Sequence, residues 1–238
     1  MTPFTRLKSR HFDSLMFRLR YLAYPLGIRD VQVFRYEAVP GEMATLPDYG
    51  DLSIAVYSKD DAPASLCGDT MVGGSGTAFV SRLIPWIYRK RTKKWCREIQ
   101  QWLAEGEVCV VAYRKEQAVG YIWITLTGNR YDSDLEEIQV LKDREAELHT
   151  MRIVPELRGH AIGRRLFAAT CSYLADRHYS RVSCFVDIAN VPSNRMVSGQ
   201  GFRAVKVISY TRIGWWKRRR EHILPVTETP GKTHARTP

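Results

Sequence analysis

The stretch Ile153–Arg165, "IVPELRGHAIGRR", carries an apolar strand-like run through a proline and an Arg-Gly turn straight into a helical pattern. A helix that begins this abruptly leaves its first backbone N–H groups without intrahelical acceptors, at the positive end of its macrodipole. Gly159 and Gly163 keep the backbone approachable, while Arg158, Arg164 and Arg165 add fixed positive charge. The chemistry such a turn suits is anion holding, and a diphosphate is the natural occupant. The run before it, "ELHTMRIV", reads as a strand, and strict alternation puts Glu147, His149, Met151 and Ile153 on one face.

These residues need elements to hold them. The helix after the turn shows Ile162, Leu166, Phe167, Thr170, Tyr173 and Leu174 on one face, and "RVSCFVDI" alternates Val182, Cys184, Val186 and Ile188 as the next strand. "VPSNRMVSGQ" reads as a short helix and "GFRAVKVISYTRI" as one or two closing strands. Upstream, "EVCVVAYRK" and "AVGYIWITLTG" separated by "EQ" predict a tight hairpin. The polar stretch 128–146 is long for a strand-to-strand link, which predicts a functional loop or a short helix. "VQVFRYEAV" (31–39) and "DLSIAVYS" (51–58) read as strands, 59–77 as a Gly-rich loop, and 78–104 as a basic helix interrupted by Pro85. A strand, crossover helix and strand imply a parallel pair. The expected fold class is therefore α/β: a mixed, mostly antiparallel sheet with helices on both faces.

The 238 residues suit one sizeable domain with extensions, and 45% hydrophobic with 26% charged residues predicts a packed core. Lys and Arg outnumber Asp and Glu by 36 to 25, giving a net charge of +11 that favours anionic partners. Residues 1–30 form a basic amphipathic extension with Phe4, Leu7, Phe12, Leu15, Met16, Leu19 and Leu22 in one stripe. That stripe is expected to pack on the domain body, with a membrane surface as the alternative. The basic run 82–97 interleaves Trp86, Tyr88 and Trp95, but no nucleic-acid motif accompanies it, so nucleic acid is not an expected partner. "RIGWWKRRREH" near the C-terminus sets Trp215 and Trp216 beside four cations, which suits either tryptophans packed in the last strand with solvated arginines or weak contact with an anionic membrane surface. Cys67, Cys96, Cys109, Cys171 and Cys184 have neither C-x-x-C nor zinc-ligand spacing, which predicts free thiols in a reducing cytosol and no metal site. No run approaches the ~18 apolar residues of a membrane span, and the N-terminus lacks a signal-peptide core. A cytoplasmic location, at most peripheral to the inner membrane face, is expected. The domain is assigned to 31–224, and the Pro-rich polar tail 225–238 is expected to be disordered.

"VPELRGHAIGRRL" resembles the acyl-CoA-binding signature of the GNAT superfamily of N-acetyltransferases, Arg/Gln-x-x-Gly-x-Gly/Ala after a strand and a proline. Arg158 and Gly163 match its first and last positions, and Ala161 stands at its usual first glycine. "NVPSNRMVSGQGF" resembles the family's Asn-x-x-Ser…Gly-Phe segment through Asn190, Ser193, Gly201 and Phe202, and the likeness covers roughly 100–214. The resemblance implies a splayed parallel strand pair with acetyl-CoA, or another acyl-CoA, in the gap. It implies Met151, Arg152 and Ile153 along the pantetheine arm, with a strand N–H polarising the thioester carbonyl. It further implies the diphosphate on Arg158, Gly159, His160, Ala161, Ile162, Gly163 and Arg164, with Asn190 and Ser193 across the gap. The implied reaction is direct attack by an amine on the thioester, the acceptor being a small molecule, a sugar or a protein, with a hydroxyl acceptor left open by the sequence. A base must take the amine's proton; Glu147, where family members often carry a glutamate, is preferred, and His149 is second. Val197 stands where the family often has tyrosine, leaving Ser193, Ser198, Tyr210 or water to protonate the leaving thiolate. A non-catalytic cofactor-binding module on the same fold is the competing reading.

Overall fold

The structure, a computed structural model, describes residues 27–43, 51–62, 97–126 and 128–225. The basic N-terminal helix, the 82–96 part of the basic run and the tail beyond 225 lie outside the described residues.

Among the described residues, ten strands and three α-helices follow in order: β1 (Ile28–Ala38), β2 (Leu52–Tyr57), α1 (97–104), β3 (Val108–Arg114), β4 (Gln117–Thr125), β5 (Asn129–Asp132) and β6 (Glu137–Val140), then β7 (Glu145–Ile153), α2 (Ile162–Asp176), β8 (Arg181–Asp187), α3 (Val191–Ser198), β9 (Arg203–Ile213) and β10 (Trp216–Ile223). Eight strands form one sheet in the order β10-β9-β1-β8-β7-β4-β3-β2, in which β7 and β8 are the parallel neighbours and every other pairing is antiparallel. The mixed sheet expected from the sequence is present. The β3–β4 turn, Lys115 and Glu116, has φ of 48° and 65°, the two positive values that let a two-residue turn match the strand twist.

Helix α2 buries Leu166, Phe167 and Leu174 against Val108, Val110, Ile122, Ile124 and Leu148 of the sheet. On the opposite face, Ile99 and Trp102 of α1 pack on Cys109, Val111, Tyr121 and Trp123. Two apolar layers on two faces explain why β3 and β4 read as near-continuous hydrophobic runs.

The stretch 128–146 is neither an open loop nor a helix. It folds as the β5–β6 hairpin, a strap that leaves the sheet after β4 and returns at β7. Its turn reaches the far half of the sheet, where Leu135 is buried with Val31, Val33, Ile208 and Tyr210. Glu136 fastens it there, accepting from Tyr210 Oη at 2.6 Å and pairing with Arg212 at 2.5 Å, Lys217 at 2.9 Å and Arg29 at 3.3 Å. Burial opposes the Glu136 charge, but these donors outweigh it and hold the carboxyl down at about 2.

Candidate active site

The parallel ladder between β7 and β8 runs from Glu145↔Arg181 to Leu148↔Cys184 and stops, although β7 continues to Ile153 and β8 to Asp187. The strands part at that point. A cavity of about 290 Å³ opens there, lined by His149, Thr150 and Met151 of β7, Arg130, Asp132 and Asp134 of the strap, and Asn190, Ser193 and Val197 around α3.

β7 changes direction inside this cavity. It pairs with β4 as Tyr121↔Arg152 and then Trp123↔His149, so Thr150 and Met151 together oppose Ile122. This is a β-bulge, with Thr150 at φ 46°. The bulge overturns the strict alternation expected from the sequence. Glu147 and His149 face the α1 side, where His149 meets Trp102 edge-on at 5.3 Å and 90°. Met151 and Ile153 face α2, both within reach of a Cβ built on Gly163. One unpaired residue moves the second half of the strand to the other face.

Glu147 is 1% exposed and lies behind Arg130 rather than on the cavity wall. It accepts from Arg130 Nε at 2.8 Å and from Nη2, and Nη2 also reaches Asp132 at 3.0 Å. Burial pushes the Glu147 carboxyl up, with Arg130 pulling against it. His149 does line the cavity. Its Nε2 lies 2.9 Å from Glu107 Oε2 and its Nδ1 3.0 Å from Thr150 Oγ1. Asp134 sits on the strap turn, and its carboxyl is pushed up to about 6 by burial and by Asp132.

The Arg158–Arg164 turn lies at the end of β7, beyond the residues that line the cavity. Arg158 Nε donates to Ile153 O at 3.2 Å, and Gly159 and Ala161 take φ of 86° and 61°. Among the described residues, the N–H groups from Gly159 to Arg164 donate to no backbone acceptor, and α2 has no side-chain N-cap. A Cβ on Gly159 would meet nothing within 4 Å. Six consecutive N–H groups without backbone acceptors, with open space beside Gly159, fit a diphosphate. Gly163 serves a different purpose, because its missing Cβ would sit 2.6 Å from Met196 Sδ and 3.1 Å from Ile153 Cδ1. It lets α2 approach β7 and α3.

Asn190 both caps α3, accepting from Ser193 N at 3.4 Å, and lines the cavity. Of the residues considered as proton donors to a thiolate, Ser193 lines the cavity, Ser198 donates to Tyr36 Oη at 3.5 Å, and Tyr210 is engaged by Glu136. Sequence reading missed Glu107, Arg130, Asp132, Asp134 and Thr150. The first four lie outside both signature segments, and a bulge has no residue pattern that would have exposed Thr150.

A model of the acetyltransferase (GNAT) family matches residues 78–202, just over half of the chain. The protein belongs to this family. The match begins upstream of the 100–214 segment that carries the sequence resemblance. Mycothiol acetyltransferase of Brachybacterium faecium is 28% identical over 106 residues, which cover 44% of this chain and 29% of that one. Among solved structures, a conserved protein from Staphylococcus epidermidis aligns with TM-score 0.52 at 15% identity, covering 80% of this chain and 64% of that one. A tandem GNAT protein from the clavulanic acid biosynthesis pathway aligns with TM-score 0.50 at 14% identity, covering 84% and 57%. These likenesses concern the fold, and the chain spans less than two thirds of each of these relatives.

Proposed function

We propose that this GNAT protein transfers an acetyl or other acyl group from acyl-CoA to an amine, by direct attack on the thioester. The observation that carries this reading is the parting of β7 and β8 at Leu148 and Cys184, which opens the cavity beside the donor-rich turn. Acyl-CoA would supply the activated carbonyl. Gly159, His160, Ala161, Ile162, Gly163 and Arg164 would hold its diphosphate, with Arg158 adding charge. Met151, Arg152 and Ile153 would lie along the pantetheine arm, with Asn190 and Ser193 opposite. His149, on the cavity wall, is better placed than Glu147 to take a proton, because Arg130 stands between Glu147 and the cavity. The acceptor amine would enter beneath the strap, from a small molecule, a sugar or a protein.

Thermal unfolding with added CoA tests the binding half. A ligand at about 100 times its Kd stabilises by about 2.7 kcal/mol, and Gly159→Asp should abolish the shift by placing a carboxylate among the donors. No shift for the wild type at millimolar CoA overturns the reading. Thiol release from acetyl-CoA across an amine library separates an enzyme from a non-catalytic binder.

Weak contact with an anionic membrane surface belongs to the same reading. Trp215 is 91% exposed, and β10 is exposed along its whole length, with Arg218 and Arg220 on the face away from Lys217 and Arg219. Equal pelleting with anionic and neutral vesicles would remove this contact and leave the enzyme assignment untouched.

A further inference from the structure

We propose that Glu107, His149 and Thr150 form a proton relay whose outer member, the Thr150 hydroxyl, takes a proton from the incoming ammonium. The inference rests on the acyl-transfer reading and assigns its proton acceptor. Glu107 stands just before β3, is 5% exposed, and has both oxygens engaged: Oε2 with His149 Nε2 at 2.9 Å, and Oε1 with the Thr125 hydroxyl at 3.0 Å. An ionised carboxylate only accepts, so Nε2 carries the hydrogen. A neutral imidazole then has a bare Nδ1, and that atom accepts from Thr150 Oγ1 at 3.0 Å. The Thr150 lone pairs are left for a donor, and Thr150 lines the cavity. Every hydrogen bond in the chain points the same way, from cavity to carboxylate.

The backbone supports the assignment. A β-branched residue at φ 46° is a backbone outlier. The strained bulge brings the hydroxyl of Thr150 back onto the ring of its own neighbour, while Trp102 holds that ring edge-on.

The step balances. An alkylammonium gives one proton to Thr150 Oγ1 as the hydroxyl's own proton moves to Nδ1, leaving an imidazolium against Glu107. The freed nitrogen lone pair forms the C–N bond, the C–S pair leaves on sulfur, and sulfur takes the nitrogen's second proton. The imidazolium returns its proton to solvent. Thr150 touches the acceptor, and Glu107 is a positioning residue.

The test measures thiol release from acetyl-CoA with two probe amines. Methylamine arrives as an ammonium near neutral pH and needs the relay, whereas hydroxylamine arrives neutral and does not. Thr150→Val should lower methylamine-dependent release about 10²-fold while changing hydroxylamine-dependent release by less than about threefold. Thr150→Ser should restore the methylamine rate, since it keeps the hydroxyl. Equal losses with both amines, or none with either, overturn the relay. Nitrogen NMR of the histidine side chains reads the relay without an acceptor. His149 should be the Nε2–H tautomer in the wild type, and Glu107→Gln should abolish that preference; an Nδ1–H tautomer in the wild type overturns the proposal. Acetylation of Thr150 by acetyl-CoA alone also overturns it, by making the hydroxyl a nucleophile. A wild type that binds CoA but releases no thiol with either amine refutes acyl transfer, and the tautomer still decides the relay.

Discussion

Asp134→Asn should stabilise the protein above neutral pH and lose that advantage in acid. Asp134 lines the cavity and makes no side-chain hydrogen bond or ion pair among the described residues. Burial, then Asp132 and Asp187, raise its carboxyl from the ordinary 3.8 to about 6, with Arg29 and Arg130 opposing. An acid whose folded pKa is raised binds more protons in the folded than in the unfolded state. Stability therefore falls as pH rises from about 3.8 through about 6, and the penalty is constant above that. A gap of about two pH units corresponds to about 3 kcal/mol. Partial exposure and solvent screening reduce this to about 1–2 kcal/mol. Asparagine keeps the shape and removes the charge, so its variant should gain that much. Urea unfolding at about pH 8 and about pH 4 would measure it, with the gain present at the first and absent at the second. An equal effect at both pH values, of either sign, would refute the reasoning, because a packing change carries no such pH dependence.

Two further substitutions test the turn that precedes α2. Ala161→Gly should raise the melting temperature by an amount equivalent to about 0.5–1 kcal/mol, because Ala161 sits at φ 61°, where glycine carries no Cβ penalty. Gly163→Ala should lower stability by about 1–3 kcal/mol, since the new methyl meets Met196 Sδ at 2.6 Å and Ile153 Cδ1 at 3.1 Å. Denaturant titration without ligand reads both.

The proposed cofactor side of the site can be argued from the sequence because its parts are local. Arg158, Gly159 and Gly163 fall within one turn, and Asn190 and Ser193 within one cap, so residue types at short spacing carry the signal. The acceptor side was not legible, because it is assembled over distance. Glu107 and His149 are 42 positions apart, and Arg130 and Glu147 are 17 apart. Alternation along β7 failed at Thr150, where the bulge lies in the pairing with β4, a partner that the local sequence of β7 does not reveal. The strap misread for a different reason. Its apolar residues Tyr131, Ile138 and Val140 are exposed while Arg130 and Asp132 point inward, the reverse of the pattern that marks a strand on a core.

The bulge also lets one strand present its residues to two different faces of the sheet. Before it, Glu147 and His149 belong to the α1 face; after it, Met151 and Ile153 belong to the α2 face and lead to the donor-rich turn. The charges divide along the same line. The chain is basic at +11, and Arg158, Arg164 and Arg165 cluster at the turn. The acceptor side is acidic, with Asp132, Asp134 and Asp187 on its wall and Arg130 already committed to Glu147 and Asp132. The strap's other acids do not add to that wall, because Glu136 is neutralised by Arg29, Arg212 and Lys217, and Glu137 by Arg219. Asp134 is thus the strap carboxylate on the cavity wall that has no ion pair among the described residues, and it stands where the proposed acceptor would enter. A negative wall lowers the energy of an ammonium and does little for a neutral hydroxyl. That difference supports the proposed transfer to an amine rather than to a hydroxyl, a reaction that would require a proton acceptor beyond the wall, because an ammonium cannot attack until it has lost a proton.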